Sequence, residues 1–331
     1  MIEHVLDLGN QLKEELEISN EFVVDSYKDL LIVGMGGSGV AGDVLKLVMN
    51  ETTPINVEVR KAYGIPKVTA DRKPKCLFIS YSGNTEETVQ AVNDAIQYNL
   101  DWSVISSGGT LLDLALKHKK PYVKVPSGLQ PRAAFGLMTK AVMHFVSSDE
   151  SRKYLELCNQ AGDYINEALA NQSENKLLEH ALKISKEINT KSSVIYGGTP
   201  LTYLVAQRWK TQINENAKSK AFVGYMPEIH HNEILSWEAN KKDSKNNFQL
   251  LFLRSSNENP QVNKRFELTK EIIGDKVNIS EIDNISSANI ISNLFHLTLI
   301  GDLVSVYMAE NLNIDPYNIN AIEQLKKLLK G

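Results

Sequence analysis

Cys76-Leu77-Phe78-Ile79-Ser80-Tyr81-Ser82-Gly83-Asn84-Thr85-Glu86-Glu87-Thr88 is the stretch that decides the fold. Its first four residues are an apolar run of strand length, and they lead directly into a hydroxyl-rich turn around a glycine. A helix is expected from Glu86 to Tyr98. A strand that ends in such a turn and opens into a helix builds a pocket for one phosphate. Backbone N–H groups, the partial positive charge of the helix N-terminus and the hydroxyls all address the same anion. In the plainer reading Ser80, Ser82, Thr85 and Thr88 are turn and capping residues, and one of them is expected to cap the helix at Glu86. Four hydroxyls in nine residues exceed that need. No lysine follows in Walker spacing, so the expected ligand is a small phosphorylated molecule and not a nucleoside triphosphate.

A second anion-suited turn precedes it. Gly34-Met35-Gly36-Gly37-Ser38-Gly39 follows an expected strand, Leu30–Val33, and precedes an expected helix, Gly39–Met49. Gly34, Gly36 and Gly39 fit the dinucleotide spacing, and Glu58 on the next strand, Asn56–Arg60, stands where a ribose-binding acid is expected. Alternatively, the glycines only permit a tight turn and close helix–strand packing. A nicotinamide enzyme has no need of the Ser80–Thr88 loop. Two such turns at the ends of two strands of one sheet suit a single sugar phosphate bound at the carboxyl edge.

Outward from these turns, strands alternate with helices, which predicts an α/β fold with parallel sheets covered by helices. Trp102–Ser106 and Tyr122–Val125 are expected strands, and Leu111–His118 and Ala133–Val146 expected helices. Residues 1–150 form a first domain, and 151–186 a polar helical connector. The order then restarts. Ser193-Val194-Ile195-Tyr196-Gly197-Gly198-Thr199 resembles Leu31–Gly37, and Gln249–Leu253 with Arg254-Ser255-Ser256 stands where Leu77–Ile79 with Ser80-Tyr81-Ser82 stands. Residues 187–312 form this second domain, whose copy of the loop lacks the dense hydroxyls. Val277–Ile279 and a long helix from Ile290 close it, and residues 313–331 add a C-terminal helical segment.

Composition sets limits. The 331 residues are 42% hydrophobic and 23% charged, as in a soluble globular protein, and allow two cores of ordinary size. A net charge of −4 argues against nucleic acid as a partner. Cys76 and Cys158 fit a reduced, cytoplasmic compartment. The apolar stretch Ile291–Ala309 carries His296 and Asp302 and is expected to be a buried helix, so no membrane partner is expected.

Further polar residues stand out. Arg132, just after Pro131 at an expected helix start, is electrostatically disfavoured there unless it faces an anion; a surface ion pair is the plainer alternative. Asn214-Glu215-Asn216-Ala217-Lys218 follows a helix and offers a carboxylate base. His230, His231 and Glu233 lack the H-E-x-x-H spacing, so no metal is expected. A glutamate base with a histidine partner suits proton transfer beside a sugar carbonyl. Lys326 and Lys327 lie on an expected helix, Ile319–Leu329, with apolar residues at helical spacing.

Together, Gly34–Val40, Ser80–Thr88, Gln130-Pro131-Arg132-Ala133-Ala134-Phe135-Gly136, Asn214–Lys218 and His231-Asn232-Glu233-Ile234 resemble the bifunctional phosphoglucose/phosphomannose isomerases of the phosphoglucose isomerase superfamily. The likeness runs nearly end to end. It implies two flavodoxin-like sugar isomerase (SIS) domains, a homodimer and no cofactor. It implies reversible conversion of glucose 6-phosphate, and of mannose 6-phosphate as a second aldose, to fructose 6-phosphate, a step of glycolysis and gluconeogenesis. By the same resemblance Gly37, Ser38, Ser80, Ser82 and Thr85 hold the phosphate, and Glu215 moves a proton between C2 and C1. His231, supplied by the partner subunit, and Lys326 assist ring opening, and Arg132 stabilises a cis-enediolate. One departure concerns mannose 6-phosphate. Members that accept both sugars have a threonine in the C-terminal segment, whereas this chain has Asn318 and Asn320 and no threonine between Asp315 and Lys326. The alternative class is a non-catalytic sugar-phosphate sensor, against which Glu215 in its context counts.

Overall fold

The computed structural model describes residues 1–19, 27–146, 148–170, 175–285, 287 and 289–329. The chain divides into two compact units. The N-terminal unit comprises Leu6–Glu167 and Ser287–Ser292, and the C-terminal unit Met1–Val5, Ala168–Ser286 and Asn293–Gly331. Residues 151–186, expected as a connector, fall mostly in two helices, Ser148–Leu169 and Lys176–Ile188. Residues 313–331 belong to the C-terminal unit.

The strands are β1 (Glu17–Ser19), β2 (Asp29–Gly34), β3 (Asn56–Arg60), β4 (Lys75–Ile79), β5 (Trp102–Ser106) and β6 (Tyr122–Lys124) in the N-terminal unit. Their order is β1-β6-β5-β4-β2-β3, parallel except for β1. The apolar runs form strands because helices cover both faces: Leu31, Ile32 and Val33 of β2 and Phe78 and Ile79 of β4 are fully buried. Phe78 meets the edge of Trp102 at 6.3 Å in this core. From β2 the chain crosses to β3 on one side and then returns to place β4 on the other. The carboxyl ends of β2 and β4 therefore flank a topological switch point, where open α/β sheets bind ligands.

The C-terminal unit repeats the plan with β7 (Ser192–Gly197), β8 (Ala221–Tyr225), β9 (Phe248–Leu253) and β10 (Asn278–Ile282). Its order is β10-β9-β7-β8, all parallel. Both sheets follow flavodoxin-like winding, with the first strand central and the second strand at its outer side. Val277–Ile279, expected to close the repeat as Tyr122–Val125 closes the first, falls at the start of β10, which stands where β5 stands; no strand of this unit takes the place of β6 among the described residues. The core stacks Tyr196 on Phe252, and Phe252 meets Phe266 at 5.1 Å. Helix Ile290–Asn311 is long and apolar enough to cross a membrane, but its hydrophobic window is 83% buried, which marks a core helix.

Several boundaries differ from the expected ones, two of them at the site. The helix expected from Gly39 begins at Gly36, since packing under the β2 turn overrides the weak helix propensity of glycine. The helix expected over Ala133–Val146 is a 3-10 turn, Pro131–Ala133, followed by a helix Phe135–Val142. Ala134, with φ −90° and ψ 23°, separates the two.

Candidate active site

At the switch point of the N-terminal unit the two expected turns face each other across paired strand ends, with Gly34 opposite Ile79. Gly34 and Gly39 are required by close approach: a Cβ on Gly34 would stand 2.9 Å from the Ile79 carbonyl, and one on Gly39 2.5 Å from the Gly34 carbonyl. Ser38, buried in the first turn of its helix, accepts from the Tyr81 N–H at 3.1 Å and so ties one turn to the other. Ser80 is buried; its Oγ accepts from the Gly83 N–H at 3.1 Å and shares a hydrogen bond with Thr85 Oγ1 at 2.8 Å. Ser82 is exposed and accepts from the Asn84 N–H at 3.3 Å. Gly83 needs its positive φ of 69°, and a Cβ there would strike the Gly108 carbonyl.

The expectation that one of these hydroxyls caps the Glu86 helix does not hold. Thr85 occupies the N-cap of helix Glu86–Gln97 without a side-chain cap hydrogen bond, because its hydroxyl is turned to Ser80. Helix Gly36–Thr52, with Met35 at its N-cap, likewise begins without one. Two helix N-termini thus lie at the switch point with no side-chain cap among the described residues, each retaining N–H donors for an anion. Thr88 is fully buried, and its Oγ1 makes no hydrogen bond among the described residues.

Arg132 is also brought to this place. The 3-10 turn Pro131–Ala133 lies against the start of helix Gly36–Thr52, and a Cβ on Gly37 would be 3.3 Å from the Pro131 carbonyl and 3.7 Å from Arg132 Cα. Arg132 itself is 5% exposed. Gln11, on helix Leu8–Lys13, brackets its turn: Nε2 donates to the Ala133 carbonyl at 2.9 Å and Oε1 accepts from the Gly136 N–H at 3.1 Å. Tyr81 holds the approach to it, its hydroxyl donating to the Pro126 carbonyl at 2.9 Å and accepting from the Leu129 N–H at 3.0 Å. Sequence reasoning missed both supports, since a lone glutamine in a short helix and a tyrosine among serines carry no local signal. Gly37, Ser38, Ser80, Ser82, Thr85 and Arg132 therefore form one constellation. Glu58, the acid of the dinucleotide reading, pairs instead with Arg72 at 2.7 Å.

Glu215, His231 and Lys326 lie in the C-terminal unit. Glu215 is half-buried in the last turn of helix Pro200–Asn216. A buried polar ladder fixes that helix. Arg208 pairs with Asp302 at 2.5 Å, Gln212 Nε2 donates to Asp302 Oδ1 at 2.9 Å, and Asn216 Nδ2 to Ser305 Oγ at 2.9 Å. Burial pushes the Asp302 carboxyl up, and the Arg208 charge opposes it. Trp209 packs so closely that a Cβ on Gly301 would overlap its indole nitrogen. Residues 208, 212 and 216 recur every fourth position, so they fix one face of the helix and set Glu215 on its flank. Lys218 Nζ donates to the Glu215 carbonyl at 2.5 Å and to the Pro316 carbonyl at 3.3 Å.

His231 ends a 3-10 turn, Glu228–His231, and is exposed, whereas its neighbour His230 turns inward to Thr269 Oγ1 at 2.8 Å. On the far side Glu233 accepts from the Tyr196 hydroxyl at 2.5 Å, and Trp237 Nε1 donates to the same hydroxyl at 3.1 Å. Inward anchors on both sides therefore present His231 outward. Lys326 lies on helix Asn320–Leu329, every residue of which is exposed.

Comparison with known proteins decides the lineage. The chain is 32% identical over 327 residues to the bifunctional phosphoglucose/phosphomannose isomerase of Thermoplasma acidophilum, covering 98% of each chain. It is 32% identical over 307 residues to the protein of that name from Aquifex aeolicus, covering 92% of this chain and 91% of the other. The chain belongs to the bifunctional phosphoglucose/phosphomannose isomerase family. It is a sugar-phosphate isomerase with two SIS domains. The SIS domain family matches residues 25–106, and the family described as the bacterial phospho-glucose isomerase C-terminal SIS domain matches residues 178–329. Another relative, 28% identical over 305 residues, is the D-glucosamine-6-phosphate 4-epimerase of Sulfolobus acidocaldarius, covering 92% of this chain and 90% of that one. Among solved structures, glucosamine-6-phosphate deaminase from Thermotoga maritima shares the fold at a TM-score of 0.65 and 15% identity, with 95% of each chain covered.

Proposed function

We propose that the chain interconverts glucose 6-phosphate and fructose 6-phosphate, with mannose 6-phosphate as a second aldose. The observation that carries this reading is the pair of helix N-termini without side-chain caps at the switch point, lined by Ser38, Ser80, Ser82 and Thr85. A phosphate dianion supplies the acceptors that these N–H and O–H groups lack, and gripping it there leaves the reacting end of the sugar free.

The aldose–ketose shift then needs one base and one fixed cation. Glu215 removes the C2 proton, and the C1 carbonyl becomes the oxygen of a cis-enediolate. The same carboxyl returns the proton to C1 while the O2 proton passes to O1, leaving a carbonyl at C2. Positioned proton transfer of this kind contributes about 10²–10⁴-fold. Arg132, buried beside Gly37, opposes the negative charge of the enediolate, where low dielectric strengthens the interaction. His231 from the second copy of a homodimer and Lys326 move the ring-opening protons. The exposure of His231, and of Ile322, Leu325 and Leu329 beside Lys326, supports an assembly that covers them. Cys76 and Cys158, both free and buried, support a reducing, cytoplasmic location.

The test incubates the protein with glucose 6-phosphate and mannose 6-phosphate separately and follows fructose 6-phosphate. Product from both is the expected result. Product from glucose 6-phosphate alone would assign epimer selection to the Asn318–Asn320 segment. Product from neither would overturn the reading in favour of a sugar-phosphate sensor.

A further inference from the structure

The Arg254–Asn259 loop of the C-terminal unit stands where Ser80–Thr85 stands in the N-terminal unit. Each is six residues long, leaves the strand beside the central one at its carboxyl end, and enters a helix, Pro260–Ile273 in the one case and Glu86–Gln97 in the other. Arg254 takes the place of Ser80, Ser255 that of Tyr81, and Glu258 that of Asn84. A cavity of about 730 Å³ elsewhere in this unit, beside β10, is lined by a hydrogen-bonded chain of Lys191, Gln249, Ser280 and Glu187 whose polar groups bind one another. The smaller cavity at the Arg254 loop, about 480 Å³, is of a different kind.

In the N-terminal unit the second N–H of the loop, that of Tyr81, goes to the hydroxyl of Ser38, the third residue of its helix. The third residue of the corresponding helix is Thr202, and its hydroxyl turns back on its own N-terminus, accepting from the N–H groups of Gly198 at 3.0 Å and Thr199 at 2.9 Å. The N–H of Ser255 is taken instead by Glu258 Oε1 at 2.8 Å. Arg254 grips the same carboxylate through Nη2 at 3.2 Å and through Nε at 3.3 Å and 3.4 Å. The Glu258 side chain is 3% exposed.

A loop N–H and one edge of a guanidinium closing on two oxygens is how an oxyanion is held. The guanidinium is fixed independently of Glu258. Its Nη1 donates to Glu281 at 2.5 Å and Glu267 at 3.0 Å, and its plane lies 4.5 Å from the Phe266 ring centroid. Removing Glu258 therefore frees Nε and one Nη2 hydrogen, the other staying on Asn263 Oδ1, while the arginine stays in place; Ser255, Ser256, Asp283 and Asn284 also line the space.

We propose that the C-terminal unit contains a second oxyanion position, which the chain fills with its own Glu258 carboxylate, and that removing this carboxylate opens the position to inorganic phosphate or sulfate. The position is the repeat's counterpart of the substrate-phosphate loop, closed by the sequence of its own loop.

Isothermal titration with inorganic phosphate, at ionic strength balanced with chloride, tests this on the wild-type chain, Glu258→Ala and Glu258→Ser. The expected result is one more phosphate per chain in each variant than in the wild type, and loss of that increment in Glu258→Ala with Arg254→Gln. An unchanged count overturns the proposal. Should neither variant fold in chloride, refolding yield is the readout: a yield restored by phosphate supports the proposal, and equal yields in phosphate and chloride overturn it. The wild-type count rests on the Ser80–Thr85 reading, whereas the increment does not. A wild-type count of zero with an increment of one would sink the first reading alone.

Discussion

Helices Gly36–Thr52 and Pro200–Asn216 occupy the same place in the two units, each 17 residues long and each following the central strand. They differ in which end is committed internally. The first begins at a glycine turn with no side-chain cap, and its Ser38 reaches out to the neighbouring loop. The second begins in a closed capping box of Thr199 and Thr202, and helix Pro260–Ile273 is capped in turn by Asn259. What the second helix offers is its last turn, where Glu215 lies between Asn214 and Asn216, whose side chains are tied to Ser219 and Ser305. On the proposed function one topology is used at opposite helix ends, as an anion end in one unit and a base end in the other. A repeated fold leaves open which helix end keeps free N–H donors; the capping side chains decide that.

The comparison breaks most visibly at Glu215. Glu215→Gln should keep sugar-phosphate binding, seen as an unchanged ligand-induced rise in melting temperature, and lose about 10²–10⁴-fold or more in isomerisation rate. Near-normal turnover would remove Glu215 as the base and leave the second helix without a catalytic end. A smaller effect separates the two loops. Ser80→Ala deletes the hydroxyl that Gly83 N–H and Thr85 share, leaving Gly83 only the Ser80 carbonyl, so KM for the sugar phosphate should rise by about tenfold to a hundredfold, equivalent to roughly 1–3 kcal/mol. Ser255→Ala, at the neighbouring position of the other loop, should leave KM unchanged. Equal effects in steady-state kinetics would erase the distinction between an open and a filled loop.

A further prediction concerns stability alone, and it treats the units alike. Burial, with the Lys140 charge second, holds the His144 imidazole down to about 4 in the N-terminal unit. Burial, with His180 second, holds His296 down to about 4 in the C-terminal unit. Both folded values lie below the ordinary 6.5, so the unfolded chain takes up protons that the folded chain refuses. The stability is present above about pH 6.5 and is lost as pH falls toward 4, on the order of 1–3 kcal/mol for each histidine. Urea midpoints at pH 7.5 and 5 should show this loss, and His144→Gln should remove only its own share. A pH-independent midpoint would show that neither ring is held neutral by its unit.

Much of this was legible beforehand. The apolar runs ending in Ser80-Tyr81-Ser82 and Gly34-Met35-Gly36 placed two strands, two helices and the turns that join them, because short-range pattern and turn chemistry fix those elements locally. The restart at Ser193 was readable for the same reason. β8 was missed: it is an edge strand with a half-exposed pattern, and its Gly224 is there because a Cβ would press on the Tyr196 ring. Gln11, a buried glutamine holding the Arg132 turn, lies over a hundred residues from its partners and leaves no local trace.

The sequence alone determined the α/β alternation, the two-fold repeat and the hydroxyl-rich turn at Ser80–Thr85, since each depends on periodicity or on neighbours within a few positions. Only the tertiary structure decided that the Thr85 hydroxyl turns to Ser80 instead of capping its helix, that Ser38 joins the two loops, and that Glu258 fills the place of an anion in the second. Each of these is a choice of hydrogen-bond partner among several within reach. Strand pairing brings the competing donors together and excludes water from them, and at that point the choice is made.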